Sequence, residues 1–367
     1  MSHPHYRHDI ENCIAALKAE DFAGLPGLAA STVKNFKDNE KVLPLLKIAG
    51  REDDLDSINK KALEIRNNFK NIIVLGTGGS SLGGQALSAL KRNNVNIRFA
   101  DNIDPSSFSA LLSSIEIKET FFLAISKSGE TLETIAQFLI CFGLAAKALG
   151  GDATKHFLII TMEQDSNLSR LARRHGIETL AHAADIGGRF STLTNVGLLP
   201  AAIMGLDITG LRKGAATVIA AIDKNPLESE VAKGIAVNLA MLRRGFSNFV
   251  YMHYLDALSG FVTWHRQIWA ESLGKNGHGA TPIRASGTLD QHSQLQLYLE
   301  GPQDKFFTMF FLENSSGGPA INPELADTPE LEYLKGKNPG GNNGCRAAGD
   351  DADANRPWPA APGIRSQ

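Results

Sequence analysis

Four short apolar runs recur along the first half of the chain, and they restrict its architecture more than any other feature. They are NIIVLG (71–76), IRFAD (97–101), FFLAIS (121–126) and HFLIIT (156–161). Between them lie stretches with helical spacing, such as SLGGQALSALKR and ETLETIAQFLICFGLAAKAL. Apolar runs without polar alternation suit strands buried on both faces, and connections long enough for a helix make neighbouring strands parallel. The pattern predicts an α/β fold: a doubly wound parallel sheet with helices on both faces. Helical spacing continues over 194–222 and VAKGIAVNLAMLRR. Further strands are expected at NFVYMHY (248–254) and DKFFTMFFLEN (304–314), with a long helix through Trp269 between them. These elements predict a second, smaller α/β unit.

The resulting division is an N-terminal helical segment (1–45), a first α/β domain (46–205), a second (206–337) and a tail (338–367). The tail, NPGGNNGCRAAGDDADANRPWPAAPGIRSQ, lacks Leu, Val, Phe, Met and Tyr. It offers too little apolar surface to offset the entropy of ordering, so disorder is expected there. Charge is nearly balanced, with 37 basic and 39 acidic residues, and no basic block suggests a nucleic-acid partner. The three cysteines are far apart in sequence and fit neither a disulfide framework nor a zinc pattern. No signal peptide is recognisable at the N-terminus, and no uninterrupted apolar run has the length of a membrane span. A cytoplasmic protein with no membrane partner is expected.

Five stretches carry candidate chemistry. VLGTGGSSLGG (74–84) runs from a strand through a glycine-rich turn into a helix. It lacks the lysine of a P-loop, and the sixth residue from Gly76 is Ser81 rather than the glycine of a dinucleotide fingerprint. Its free N–H groups and hydroxyls favour an anion, although a tight turn with capping serines reads equally well. ISKSGETLETIAQF (125–138) repeats the arrangement, with Ser126, Ser128, Thr131 and Thr134 around a helix start and the charge of Lys127. A capping box explains Ser128 or Thr131 singly but not the duplication. Two hydroxyl-rich turns at one sheet edge suit a monophosphate at a topological switch point.

DIGGRFSTLTNVGLLPAA (185–202) places Arg189 after two glycines, either as a stabiliser of negative charge or in a surface ion pair. QIWAESLGKNG (267–277) carries Glu271 in a largely apolar helix. A carboxylate held against Trp269 would become more basic, as a general base requires; an exposed helix carboxylate is the plainer reading. SGTLDQHSQLQLYLEGPQD (286–304) places His292 at a loop-to-helix junction, catalytic or structural.

Taken together, LGTGGSSLGG, ISKSGETLET, GGRFSTLTNVGLLP, ESLGKNG and GTLDQHSQLQLYLEGP resemble the phosphoglucose isomerase family in its shorter bacterial form. They occur in the family's order across most of the chain. The resemblance implies two sugar-isomerase (SIS) domains and interconversion of glucose 6-phosphate and fructose 6-phosphate, without metal or organic cofactor. It assigns the substrate phosphate to Ser80, Ser126, Lys127, Ser128, Thr131 and Thr134, and the sugar to Gly79 and Gln267. Glu271 is implied as the base working through a cis-enediol, Arg189 as the group that stabilises the enediolate, and His292 as the ring-opening residue. His292 is implied to come from a partner subunit, and hence a homodimer.

The resemblance stops after GKNPGG. The family's C-terminal helical segment, with a glutamine and a substrate-contacting lysine, has no match, and the composition of 338–367 reads as a frameshift or a truncation with an unrelated tail. Impaired turnover is the expectation that follows. The competing readings are a non-catalytic sugar-phosphate-binding protein, which has no need of Glu271 and Arg189, and a cofactor-dependent oxidoreductase, against which the missing fingerprint argues.

Overall fold

The computed structural model describes residues 8–10, 13, 17–40, 42–91, 93–226, 229–311 and 318–336. The tail expected to be disordered, with Cys345, lies outside the described residues, as does part of the expected N-terminal helix. The chain divides into two compact units, Met1–Met309 and Phe310–Gln367. Within the second, a short 3₁₀ helix spans Pro329–Leu334, with Pro329 at its first turn.

The first unit is built on the expected parallel sheet. Its strands are β1 (Asn71–Leu75), β2 (Asn96–Ala100), β3 (Thr120–Ile125), β4 (Phe157–Thr161) and β5 (Glu178–Ala181). Their order is β2-β1-β3-β4-β5, parallel throughout, with Asn71 opposite both Asn96 and Thr120. Side chains alternate between the faces. Ile72, Val74, Leu123, Ile125, Leu158 and Ile160 join one core with Leu55, Ile58, Ala62 and Ile65 of the Leu55–Asn68 helix and with the Asn195–Ile203 helix. Ile73, Leu75, Phe122, Ala124 and Ile159 join the other with Phe138, Cys141 and Ala145 of the Leu132–Leu149 helix and Leu168 and Ala172 of Asn167–His175. Burying each large apolar side chain contributes roughly 1.5–3 kcal/mol, which explains why these strands tolerate so few polar residues.

β5 escapes the sequence pattern because ETLA is a short, mostly exposed edge strand that buries almost nothing. The helical region expected over 194–222 divides in two, Asn195–Ile203 and Ile208–Lys224, around Gly205, whose φ of 74° few other residues adopt. From the second of these helices the fully buried Arg212 donates to the Leu193 carbonyl through Nε (3.1 Å) and Nη2 (2.8 Å). It also pairs with Asp54 and donates to the Arg51 carbonyl at 2.6 Å. A buried guanidinium is tolerated when its fork is satisfied in this way.

A second sheet has the order β7-β6-β8, from β6 (Asn248–His253), β7 (Thr281–Ser286) and β8 (Lys305–Phe310). β6 and β7 are parallel, joined through the helix Ser259–Leu273. β7 was not evident in the sequence because Pro282 and Arg284 interrupt TPIRAS; a proline is accommodated at an edge strand.

One segment is apolar enough to weigh against the membrane expectation without overturning it, since Glu133, Lys147, Asp152 and Lys155 interrupt it. Among the described residues, Leu132–His156 is long and apolar enough to cross a bilayer by length and composition. Its Thr134, Gln137, Phe138, Cys141 and Ala145 are buried in the fold.

Candidate active site

The strand order reverses between β1 and β3, and both hydroxyl-rich turns leave the sheet there. After β1 the chain makes a 3₁₀ turn, Gly78–Ser80, and enters the helix Leu82–Ser88. Gly78 takes φ 54°, which favours glycine. A Cβ on Gly76 would lie 3.0 Å from the Ile125 carbonyl, so the two turns start in contact. After β3, buried Ser126 shares a 2.8 Å hydrogen bond between its Oγ and Thr131 Oγ1 and accepts from the Gly129 N–H at 3.2 Å. Ser128 Oγ accepts from the Glu130 N–H at 3.1 Å. Thr134 is fully buried, and its hydroxyl has no partner among the described residues. Lys127 donates to the carbonyls of Ala184 (2.8 Å) and Ile186 (2.7 Å), which braces the loop leading to Arg189.

That loop sits directly on the first turn. A Cβ on Gly79 would overlap the Gly188 carbonyl and lie 2.7 Å from the Arg189 nitrogen, so two main chains meet where no side chain fits. Ser191 Oγ lies within donating distance of both the Gly188 carbonyl (2.8 Å) and the Gly79 carbonyl (3.2 Å). A Cβ on Gly83 would likewise collide with Thr192. The turn Gly188–Leu193 is therefore held in register with Gly78–Ser80 by backbone contact.

The helix Ser259–Leu273 supplies the remaining groups. Trp264, Gln267 and Glu271 follow one another at three- and four-residue steps and share a face. The Trp264 indole N–H donates to the Arg189 carbonyl at 2.9 Å. Gln267 Nε2 donates to Glu271 Oε1 at 2.8 Å, and a Cβ on Gly78 would lie 3.1 Å from that same amide nitrogen. Gln267 Oε1 is buried without a partner among the described residues. Glu271 Oε2 lies 3.6 Å from Arg189 Nη1, and Arg189 Nε donates to Ser272 Oγ at 2.9 Å. The guanidinium lies over the Phe190 ring, 4.4 Å from its centroid.

Trp269 does not wall the carboxylate. Two residues along a helix lie on opposite sides, and Trp269 packs with Phe249 (5.2 Å) and Tyr251 (6.0 Å) while its N–H donates to the Ala280 carbonyl at 2.9 Å. Glu271, its side chain half-exposed, has a glutamine amide and a guanidinium as polar neighbours instead.

The structure thus brings Gly79, Ser80, Arg189, Gln267 and Glu271 together, with the 126–134 turn at the adjoining strand end. It does not join His292 to them. His292 caps the short helix Gly287–Gln291, and its ring is exposed with no hydrogen bond to Arg189, Gln267 or Glu271. Two participants were not singled out from sequence. Ser272 adjoins Glu271, and Trp264 lies one turn before Gln267; both became evident only when the Arg189 loop was seen against this helix. Among the described residues no group of three or more His, Cys, Asp or Glu side chains is arranged to hold a metal. Chemically, the two groups held 3.6 Å apart set a carboxylate able to take a proton beside a guanidinium able to stabilise an anionic oxygen.

A family model described as phosphoglucose isomerase matches residues 54–298. The chain is 37% identical over 306 residues to the glucose-6-phosphate isomerase of Carboxydothermus hydrogenoformans, covering 78% of this chain and 66% of that one. It is 39% identical over 278 residues to the glucose-6-phosphate isomerase of Rubrobacter xylanophilus, covering 72% and 64%. Among solved structures it is similar to a hypothetical protein of Thermus thermophilus, with TM-score 0.75 and 28% identity over 88% of this chain and 80% of that one. A glucose-6-phosphate isomerase from Chlamydia trachomatis, at TM-score 0.67 and 22% identity over 80% and 66%, shares the fold. The chain spans just under two thirds of the length of the two curated relatives named here.

Proposed function

This chain belongs to the phosphoglucose isomerase family, and from that premise we propose that it interconverts glucose 6-phosphate and fructose 6-phosphate. The observation that carries the proposal is the Arg189–Glu271 pair, 3.6 Å apart beside the Gly78–Ser80 turn. A protein that only binds sugar phosphates has no use for a base set against a counter-charge.

In the proposed reaction Glu271 takes the proton from C2 of the open-chain aldose. The C–H electron pair becomes the C1–C2 double bond of a cis-enediol, and negative charge grows on the C1 oxygen. Arg189 stabilises that oxygen, a proton passes from the C2 hydroxyl to the C1 oxygen, and the same carboxylate returns its proton to C1 as the C2–O electron pair forms the carbonyl of the ketose. One base suffices because the two carbons are adjacent and one face of the enediol stays toward it. The unpartnered Gln267 Oε1 is a ready acceptor for a sugar hydroxyl. Ser80, Ser126, Lys127, Ser128, Thr131 and Thr134 form the proposed phosphate grip, in which Lys127 also ties in the loop before Arg189 through the Ala184 and Ile186 carbonyls. Binding energy from a phosphate remote from C1 and C2 then serves to position the reacting carbons. His292 is proposed to open the sugar ring from the partner subunit of a homodimer, and Gly79 to border the sugar. A cytoplasmic location and a cofactor-free reaction complete the proposal.

The test is steady-state conversion of fructose 6-phosphate by the chain and by Glu271→Gln. Loss of a positioned general base lowers turnover by about 10²–10⁴-fold, while binding of fructose 6-phosphate by calorimetry persists. A chain that binds the sugar phosphate but converts none of it, with or without Glu271, would replace the isomerase reading with a binding one.

A further inference from the structure

We propose that Ser272, assisted by Trp264, is a positioning residue that keeps Arg189 from closing onto Glu271. The proposal rests on the isomerase reading for its consequence in catalysis. A guanidinium has five N–H donors in a planar fork, and beside a free carboxylate its preferred arrangement is bidentate. Here it is not bidentate. Arg189 Nη1 stands 3.6 Å from Glu271 Oε2, beyond hydrogen-bond distance, although both groups sit on elements that touch.

Three contacts hold it there. The Trp264 indole fixes the Arg189 main-chain carbonyl at 2.9 Å. The Phe190 ring supports the face of the guanidinium at 4.4 Å. Ser272 Oγ accepts from Nε at 2.9 Å and so decides the rotation of the fork. Ser272 follows Glu271 directly on the same helix, so one turn carries both the base and the brace that holds its counter-charge at a distance. Glu271 Oε1 is meanwhile held by Gln267 at 2.8 Å, which leaves Oε2 as the oxygen facing Arg189.

The spacing has a chemical consequence. A carboxylate in a bidentate pair is a weaker base, because the pair favours its ionised form, and the arginine's donors are consumed before any enediolate forms. Held apart, the guanidinium keeps free N–H groups for the developing oxyanion.

The experiment compares the full chain with Ser272→Ala, Ser272→Thr and Trp264→Phe, assayed with fructose 6-phosphate across pH. Alanine is favoured in a helix, so Ser272→Ala is expected to fold, and circular dichroism verifies it. The expected result is a kcat lowered about tenfold or more in Ser272→Ala with KM little changed, and an acidic limb of the kcat profile moved to lower pH. Ser272→Thr, which restores the hydroxyl, recovers both, and Trp264→Phe shows a smaller loss in the same direction. Unchanged turnover, or slower turnover with an unmoved acidic limb, overturns the proposal.

Should the unsubstituted chain convert no substrate, the isomerase reading fails, and the brace is then read directly from hydrogen exchange of the Arg189 Nε–H by NMR. Protection present in the unsubstituted chain and Ser272→Thr but lost in Ser272→Ala sustains the brace; equal exchange in all three overturns it.

Discussion

At 3.6 Å the Arg189 guanidinium and the Glu271 carboxylate attract one another without sharing a hydrogen bond. Such a pair is worth about 1 kcal/mol in water and about 4 kcal/mol at the effective dielectric of a protein surface. Half-exposure of the carboxylate puts it toward the lower figure, so the pair contributes little to stability. Both residues were legible as candidates from their motifs, because a charged side chain after two glycines or within an apolar helix stands out. Their neighbours were not legible: the indole next in line was expected to wall the carboxylate, and helix geometry turns it away. The opposite extreme of environment is Cys141, fully buried between the sheet and the Leu132–Leu149 helix, with its thiol pushed up to about 12 by desolvation. Only the thiolate reacts, so at pH 8 Cys141 is expected to resist iodoacetamide in the native protein and to be alkylated after denaturation. Mass spectrometry of the alkylated peptide checks this; rapid native alkylation would contradict its burial.

At the scale of elements, the site is assembled by glycines that let main chains touch. Gly79→Ala places a methyl group against the Gly188 carbonyl, with backbone on both sides and no flexible side chain to yield. Overpacking of this kind costs about 1–3 kcal/mol, and here it also drives the Arg189 turn away from Gly78–Ser80. A lowered urea midpoint together with reduced turnover is expected. The contrasting substitution is Gly143→Ala, inside the Leu132–Leu149 helix, where a Cβ meets nothing within 4 Å. It is expected to stabilise by about 0.5–1 kcal/mol and to leave turnover unchanged, because a helical glycine carries an entropic cost that alanine lacks. The glycines of the first turn were conspicuous in the sequence and suggested an anion. That one of them is required by a loop more than a hundred residues away was not, because a close approach of two backbones leaves no pattern in either stretch alone.

At the scale of the whole molecule, His182, His253 and His265 are each held below the ordinary histidine range, in every case chiefly by burial. Each takes up a proton less readily in the fold than once unfolded. Their contribution to stability is therefore complete above the unfolded pKa of about 6.5 and declines as pH falls below it. Tm is expected to drop between pH 7 and pH 5, and to drop less in His265→Phe, whose ring joins Tyr251 and Trp269. A Tm that is flat over this interval would show that these rings are not protected. The sequence by itself determined the α/β class, four of the five strands of the first sheet and both hydroxyl turns. Each depends on local composition: an apolar run is buried on both faces, and a glycine-hydroxyl turn between strand and helix offers N–H groups to an anion. It did not determine the edge strands β5 and β7, whose side chains bury too little to leave a pattern. Nor did it determine the strand order that brings the turns after β1 and β3 side by side, or the spacing of Arg189 from Glu271. Those were decided by tertiary structure, because they depend on which faces pack together and on how closely glycine backbones distant in sequence can approach.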